Sequence, residues 1–167
     1  MRKTNFYPGG FAEFVRVPPV NIEQEGVYLL PKDVSFEEAT FIEPLACVLR
    51  GQRLAGVRNG QTVLVIGSGI SGLLHIQYAR TLGAKSVVAT DISQYRLDAA
   101  KRFGADNVFN GKGYSPDKLK DINGGLLADV VILCAGARAA VEQALNSVER
   151  GGTVLFFAAA EKDITLP

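Results

Sequence analysis

Charge of one sign is missing from this chain: 18 lysines and arginines are matched by 17 acids in 167 residues, a formal net charge of +1, with no basic run. Nucleic acid and anionic membrane are therefore poor partners. Apolar runs of membrane-spanning length are missing too, and Met1-Arg2-Lys3 leads into Asn5, Pro8 and Gly9-Gly10 instead of an apolar core. Neither a spanning helix nor a leader is expected, which points to a soluble cytoplasmic protein. Cysteine is scarce. Cys47 and Cys134 lie far apart in sequence and have no knuckle or framework spacing, so each is first read as a small buried apolar residue. The one histidine, His75, sits in a mostly apolar stretch and is assigned no role. There is no internal repeat or low-complexity segment, and the hydrophobic fraction of 47% suffices for a packed core.

The strongest pattern present spans residues 62–91. Thr62-Val63-Leu64-Val65-Ile66 flows directly into Gly67-Ser68-Gly69-Ile70-Ser71-Gly72 and then into an amphipathic stretch ending at Leu82, which reads as strand, glycine turn, helix. A second apolar run, Ser86 to Thr90, ends on Asp91, nineteen residues past Gly72, where a dinucleotide-binding unit places its acid. Gly67 permits the tight turn, Gly69 lets backbone approach a pyrophosphate, and Gly72 lets the helix pack close to the sheet. The unpaired N–H groups around Ile70 and Ser71, with the helix dipole, favour an anion by typically ~0.3–1 kcal/mol for the dipole part.

Asp91 can accept from both adenosine ribose hydroxyls. A 2′-phosphate held ~4 Å away would instead be repelled by about 4 kcal/mol per unit charge at an effective dielectric of about 20, so NAD is expected over NADP. Arg96, five residues on, has two readings: an arginine that accommodates a 2′-phosphate, or a solvated helix residue lying along the adenine. The second is favoured. A methyltransferase also uses a glycine loop, but more often shows an acid just before it, and Val65-Ile66 offer none.

Residues 60–157 repeat strand then helix, which implies a parallel sheet covered on both faces: an α/β, doubly wound Rossmann fold with five of its six strands. The expected strands are 62–66, 86–90, 107–109, 128–134 and 153–157. The expected helices are 70–82, 94–103 and 138–147, with a weaker turn near 115–121. Ser93 is placed to cap the second helix, and Gly83 and Gly104 follow helix ends. The fifth strand would be left as an apolar edge, a surface for homo-oligomer formation. Ligands of such a sheet lie beyond the carboxyl ends of its strands, so Cys134-Ala135-Gly136 and Phe157-Ala158 are expected to flank the cofactor ribose and nicotinamide.

The first third differs in kind. Residues 10–17 and 26–30 read as short strands split by Pro18-Pro19 and closed by Pro31. Ser35-Phe36-Glu37-Glu38 is a capping box, and Pro44 is expected to restart a helix, leaving Glu43 at a break between pieces 36–42 and 44–55. Glu43 can be read simply as an acid at the positive end of a helix.

Gly9-Gly10-Phe11-Ala12-Glu13, Leu30-Pro31, Glu43-Pro44-Leu45-Ala46, the Gly67 to Gly72 turn, Asp91 and Gly104-Ala105-Asp106, in this order, resemble the zinc-dependent medium-chain alcohol dehydrogenases near the sorbitol and threonine dehydrogenase branch. The resemblance covers essentially the whole chain. It implies NAD-dependent oxidation of a small secondary alcohol, with zinc holding the alkoxide and hydride passing to nicotinamide. Residues 1–43 would be a β-rich remnant of a GroES-like catalytic domain, 44–60 a connecting helix, and 61–167 an NAD-binding domain incomplete at its C-terminus. Glu43 matches a family metal position, where it binds zinc directly or through water, and Cys47 one turn on would face the nicotinamide or simply pack. The family's cysteine ligand, His-Glu pair and four-cysteine lobe are not in this sequence. A catalytic zinc needs three protein ligands, so zinc is expected in a full-length protein and not in this chain, which should be inactive alone. The alternatives are a non-catalytic NAD-binding module and a zinc-free reductase of the same superfamily, the latter weakened by Glu43-Pro44.

Overall fold

The structure, a computed structural model, describes residues 6–159. The chain divides into two compact units, Met1–Thr40 and Phe41–Pro167.

The first unit carries two short helices, α1 (Pro19–Glu23) and α2 (Phe36–Ala39), and one isolated antiparallel bridge, Tyr7 to Arg16. The strands expected at 10–17 and 26–30 are not formed. Alternating apolar residues make a strand only where a neighbour completes the ladder, and here Phe14, Tyr28 and Leu29 stand exposed. Pro18-Pro19 starts a helix instead, with Pro19 in the first turn where its missing N–H costs nothing. The capping box is present: the Glu38 N–H donates to Ser35 Oγ (3.2 Å) and the Ser35 N–H to Glu38 Oε2 (2.9 Å).

The second unit is a five-stranded parallel sheet. In chain order it runs α3 (Ile42–Ala55), β1 (Thr62–Ile66), α4 (Ile70–Thr81), β2 (Ser86–Asp91), α5 (Gln94–Arg102), β3 (Asn107–Asn110), α6 (Pro116–Ile122), β4 (Ala128–Leu133), α7 (Arg138–Ser147) and β5 (Val148–Phe156). The spatial order is β3-β2-β1-β4-β5, every pair parallel. β1 lies at the centre and all five of its residues are buried. Its alternate side chains feed two cores. Val63 and Val65 pack with Ile76 and Ala79 of α4 and Ala100 of α5, while Leu64 and Ile66 pack with Leu119 of α6 and Val141 and Ala144 of α7. The doubly wound expectation holds.

Three local expectations are corrected. Helix α3 starts at Ile42, so Glu43 sits inside its first turn and Pro44 does not restart it. A proline there removes an N–H that has no helical partner anyway. Ser93 occupies the position before α5, but its side chain caps nothing; its backbone N–H donates to Asp91 Oδ1 (2.9 Å). β5 begins five residues earlier than 153, at Val148, with a register shift opposite Ala128 and Val130.

Candidate functional site

A cleft of about 360 Å³ opens at the carboxyl ends of the strands. One wall is the turn after β1. Gly67 has φ +95°, and a Cβ on it would come within 3.0 Å of the Cys134 backbone carbon and 3.1 Å of the Ala135 side chain. A Cβ on Gly72 would lie 2.0 Å from the Gly67 carbonyl oxygen, so the start of α4 is drawn against the turn. Gly69 is different: its φ is −71° and nothing lies within 4 Å of its Cβ direction. Helix α4 has no side-chain cap, so its first N–H groups face outward unpaired by any side chain. Backbone that an anion can approach, with free donors at its end, suits a diphosphate.

Asp91 ends β2 in the same cleft and is 6% exposed. Its Oδ2 accepts from the Ser68 N–H (2.8 Å) and its Oδ1 from the Ser93 N–H, so it clasps the glycine turn to the turn before α5. Arg96 Nη1 lies 3.8 Å from Asp91 Oδ2. Cys134 and Ala135 line the opposite wall. Burial pushes the Cys134 thiol up to about 12, which keeps it protonated at neutral pH.

The other expected residues lie elsewhere. Ile70 is exposed and lines a groove between α4 and α5, with Leu73, Tyr95 and Phe103, which shares Gly69 and Arg96 with the cleft. Ser71 and Gly72 lie in the first turn of α4. Gly136 and Ala158 do not line the cleft, and the Ala158 N–H donates to the Leu133 carbonyl (2.9 Å). The Phe157 ring packs edge-on to His75 with centroids 4.4 Å apart and against Gly51 of α3. It therefore joins the core beneath α3 and α4 and not the cofactor wall expected from its place at a strand end. Sequence reasoning missed Gly111, Lys112 and Gln143, which do line the cleft. No local sequence pattern marks them: Asn110 pairs with Asp91 in the sheet, so the residues after β3 emerge beside Asp91.

A sequence model of the family described as "Zinc-binding dehydrogenase" matches residues 71–167, more than half of the chain. The chain belongs to the zinc-binding dehydrogenases. It is 38% identical over 157 residues to sorbitol dehydrogenase 1 of Saccharomyces cerevisiae, covering 85% of this chain and 44% of that protein. Among solved structures it is similar to galactitol-1-phosphate dehydrogenase from Escherichia coli (TM-score 0.81, 34% identity, 95% of this chain and 45% of that one). It is also similar to a Sinorhizobium meliloti 1021 protein described as a zinc-binding dehydrogenase and bound to NADP (TM-score 0.76, 30% identity, 84% and 42%). The chain thus spans about two fifths of the length of these relatives.

The zinc that this family name implies does not fit the residues present. Glu43 has one companion, Cys47, whose thiol donates to Glu43 Oε1 (3.2 Å) and is held above its ordinary range by that bond. Among the described residues no three His, Cys, Asp or Glu gather where they could hold a metal ion. No described helix of this dehydrogenase chain is long and apolar enough to cross a membrane.

His75 does structural work in this chain. It is fully buried in α4, with Gln52 Nε2 of α3 lying 3.1 Å from its Nδ1 and donating to its backbone carbonyl (2.8 Å). The amide can donate to Nδ1 only when the ring is neutral with its proton on Nε2. Burial lowers the His75 pKa to about 4. Because that is below the unfolded value near 6.5, the unfolded chain binds more protons between these two pH values, and stability falls as pH drops through the window. The expected loss by pH 5, relative to neutral pH, is about 2 kcal/mol. Urea unfolding of wild type and His75→Leu from pH 7.5 to 5 should give stability differences that shift by that amount; parallel curves would show that His75 is not the group responsible.

Proposed function

We propose that this chain supplies the NAD-binding part of a zinc-dependent dehydrogenase that oxidises a small secondary alcohol, a polyol or amino alcohol such as sorbitol or threonine. The observation that carries the reading is the cleft in which an open Gly69, the uncapped start of α4 and the Asp91 carboxylate lie together beyond the strand ends. The pyrophosphate would sit over Gly67, Gly69 and the N–H groups around Ile70 and Ser71. Asp91 would take the adenosine ribose hydroxyls, with oxygen lone pairs left over from its two backbone bonds. Cys134 and Ala135, small and uncharged, would let the nicotinamide half lie close to β4. Bound there, NAD supplies a hydride acceptor, and the residues of this chain bind and orient it. The sorbitol dehydrogenase and galactitol-1-phosphate dehydrogenase relatives support a polyol as substrate. In this reading 1–43 belongs to the catalytic domain, 44–60 connects, and 61–167 binds the dinucleotide.

Calorimetric titration with NAD tests the cofactor: saturable binding is expected, and its absence would overturn the assignment. Turnover is a separate matter. Incubated with NAD, sorbitol and added zinc, the 167-residue chain is expected to form no alcohol-dependent NADH, because Glu43 is one ligand where a catalytic zinc needs three, and no three His, Cys, Asp or Glu gather among the described residues. Robust NADH formation would show that the chain completes an active site by itself.

A further inference from the structure

We infer that Gln143 of α7 is a positioning residue for the dinucleotide: its side-chain amide ties the loop after β3 to α7 and so holds in place the cleft wall that continues from Asp91; this rests on the dinucleotide reading above. Gln143 Nε2 donates to the Gly111 carbonyl (2.6 Å), and both residues are half-buried and line the cleft. They are 32 residues apart in sequence, so the bond joins two elements that local structure does not hold together. On the strand side, the Gly111 N–H donates to the Asp91 carbonyl (2.9 Å), and a Cβ on Gly111 would lie 3.6 Å from the Ile92 side chain. Gly111 is thus held from both sides, by the end of β2 through its N–H and by α7 through its carbonyl.

A second link lies one helical turn along α7. The Tyr114 hydroxyl donates to Ser147 Oγ (2.9 Å), and both residues are buried away from the cleft lining. Residues four apart share a helix face, so one stripe of α7 holds the loop at two points, and only the Gln143 point borders the cleft. Tyr114 packs with Leu119 and Ala144 in the core, where its bond bears on stability. The Gln143 bond bears on the ligand. β3 is four residues long and, among the described residues, pairs only with β2, so at the cleft the loop depends on Gly111 for its course. A loop fixed before the ligand arrives need not be ordered on binding, which raises affinity without adding a contact to the ligand.

Calorimetric titration of the whole chain with NAD, at neutral and at mildly acidic pH, tests the inference on wild type, Gln143→Met, Gln143→Glu, Gln143→Asp and Tyr114→Phe. At neutral pH the methionine variant, of similar length but without a donor, should bind NAD about three- to tenfold more weakly than wild type, the range of one hydrogen bond, and the two acids should lose at least as much. In acid the variants part. A protonated Glu carboxyl reaches as far as the amide and can donate to the Gly111 carbonyl, a bond that raises its own pKa, so Gln143→Glu should regain most of its loss relative to wild type. Gln143→Asp sheds the same charge on a shorter stem and should regain less, and Gln143→Met nothing. The other charged groups beside Gln143, namely Asp91, Arg96 and Lys112 in the cleft and Arg138 and Glu142 on α7, are common to all the proteins and cancel in the comparison. Tyr114→Phe should lower the melting temperature and leave NAD affinity within about twofold of wild type. Should the methionine variant fail to fold, the contrast between the two acids still decides. Wild-type affinity in every Gln143 variant, equal recovery of the two acids, or a loss in Tyr114→Phe as large as at Gln143 would overturn this inference and leave the cofactor assignment standing. Failure of wild type to bind NAD would overturn both.

Discussion

Gly72→Ala is expected to destabilise the fold by about 3 kcal/mol or more, against the usual direction for such a change. Glycine inside a helix is ordinarily the weaker choice, by about 0.5–1 kcal/mol relative to alanine. At this position the added methyl would lie 2.0 Å from the Gly67 carbonyl oxygen and 3.0 Å from its carbon. Both are backbone atoms, with no rotamer to move aside. Relief requires α4 to lift from the turn or the turn to open, and either disturbs Gly67, whose own Cβ space is closed by Cys134 and Ala135. Gly69→Ala is the control. Its φ of −71° suits alanine and nothing lies within 4 Å, so stability should hold while dinucleotide affinity falls, because the methyl enters the space a pyrophosphate approaches. Urea unfolding and NAD titration of the two variants separate the roles. Equal stabilities would mean that the close approach of helix to turn carries no energy.

The parts of this structure that were legible in sequence are those where local pattern and burial agree. Thr62–Ile66 is β-branched, bounded by turn residues and central in the sheet, and its limits are the expected ones. Gly83 and Gly104 adopt φ of +80° and +108° just past α4 and α5, where only glycine sits without strain. Pattern misled where tertiary context decides. Val148 to Gly152 looks like a charged, glycine-rich turn, but among the described residues β5 pairs on one side only, with β4, and a strand so placed tolerates such residues. Among the described residues, the apolar alternation of the first unit meets no neighbouring strand and stays irregular.

The candidate site divides in the same way. The glycine turn and Asp91 lie within thirty residues of one another in one strand-helix-strand unit, and spacing alone brought them together. Lys112 and Gln143 reach the cleft from the loop after β3 and from α7, so their approach depends on strand order. Phe157 failed for a reason of parity. It continues the alternation of Leu155, and both pack against the core beneath α3 and α4 and against Gly51, which turns the Phe157 ring toward His75.

Asp91→Ala should produce two separable losses. The first is structural. The Ser68 N–H, in a residue 1% exposed, and the Ser93 N–H both lose their acceptor, and each unsatisfied donor costs about 1–3 kcal/mol, less where water can enter. A total near 3 kcal/mol in unfolding free energy is expected, most of it from Ser68. The second is functional: without a carboxylate to accept the ribose hydroxyls, NAD affinity should fall by about tenfold or more. NADP affinity should fall less, because the variant also removes the nearest negative charge from the 2′-phosphate and leaves Arg96 unpaired. The ratio of the two affinities therefore reports the ribose role even if the turn loosens, since loosening weakens both dinucleotides alike. A stability loss with an unchanged NAD to NADP ratio would make Asp91 a clasp between two turns and nothing more. A changed ratio at full stability would mean that the two backbone bonds are replaced by water, and that the carboxylate acts on the ligand alone.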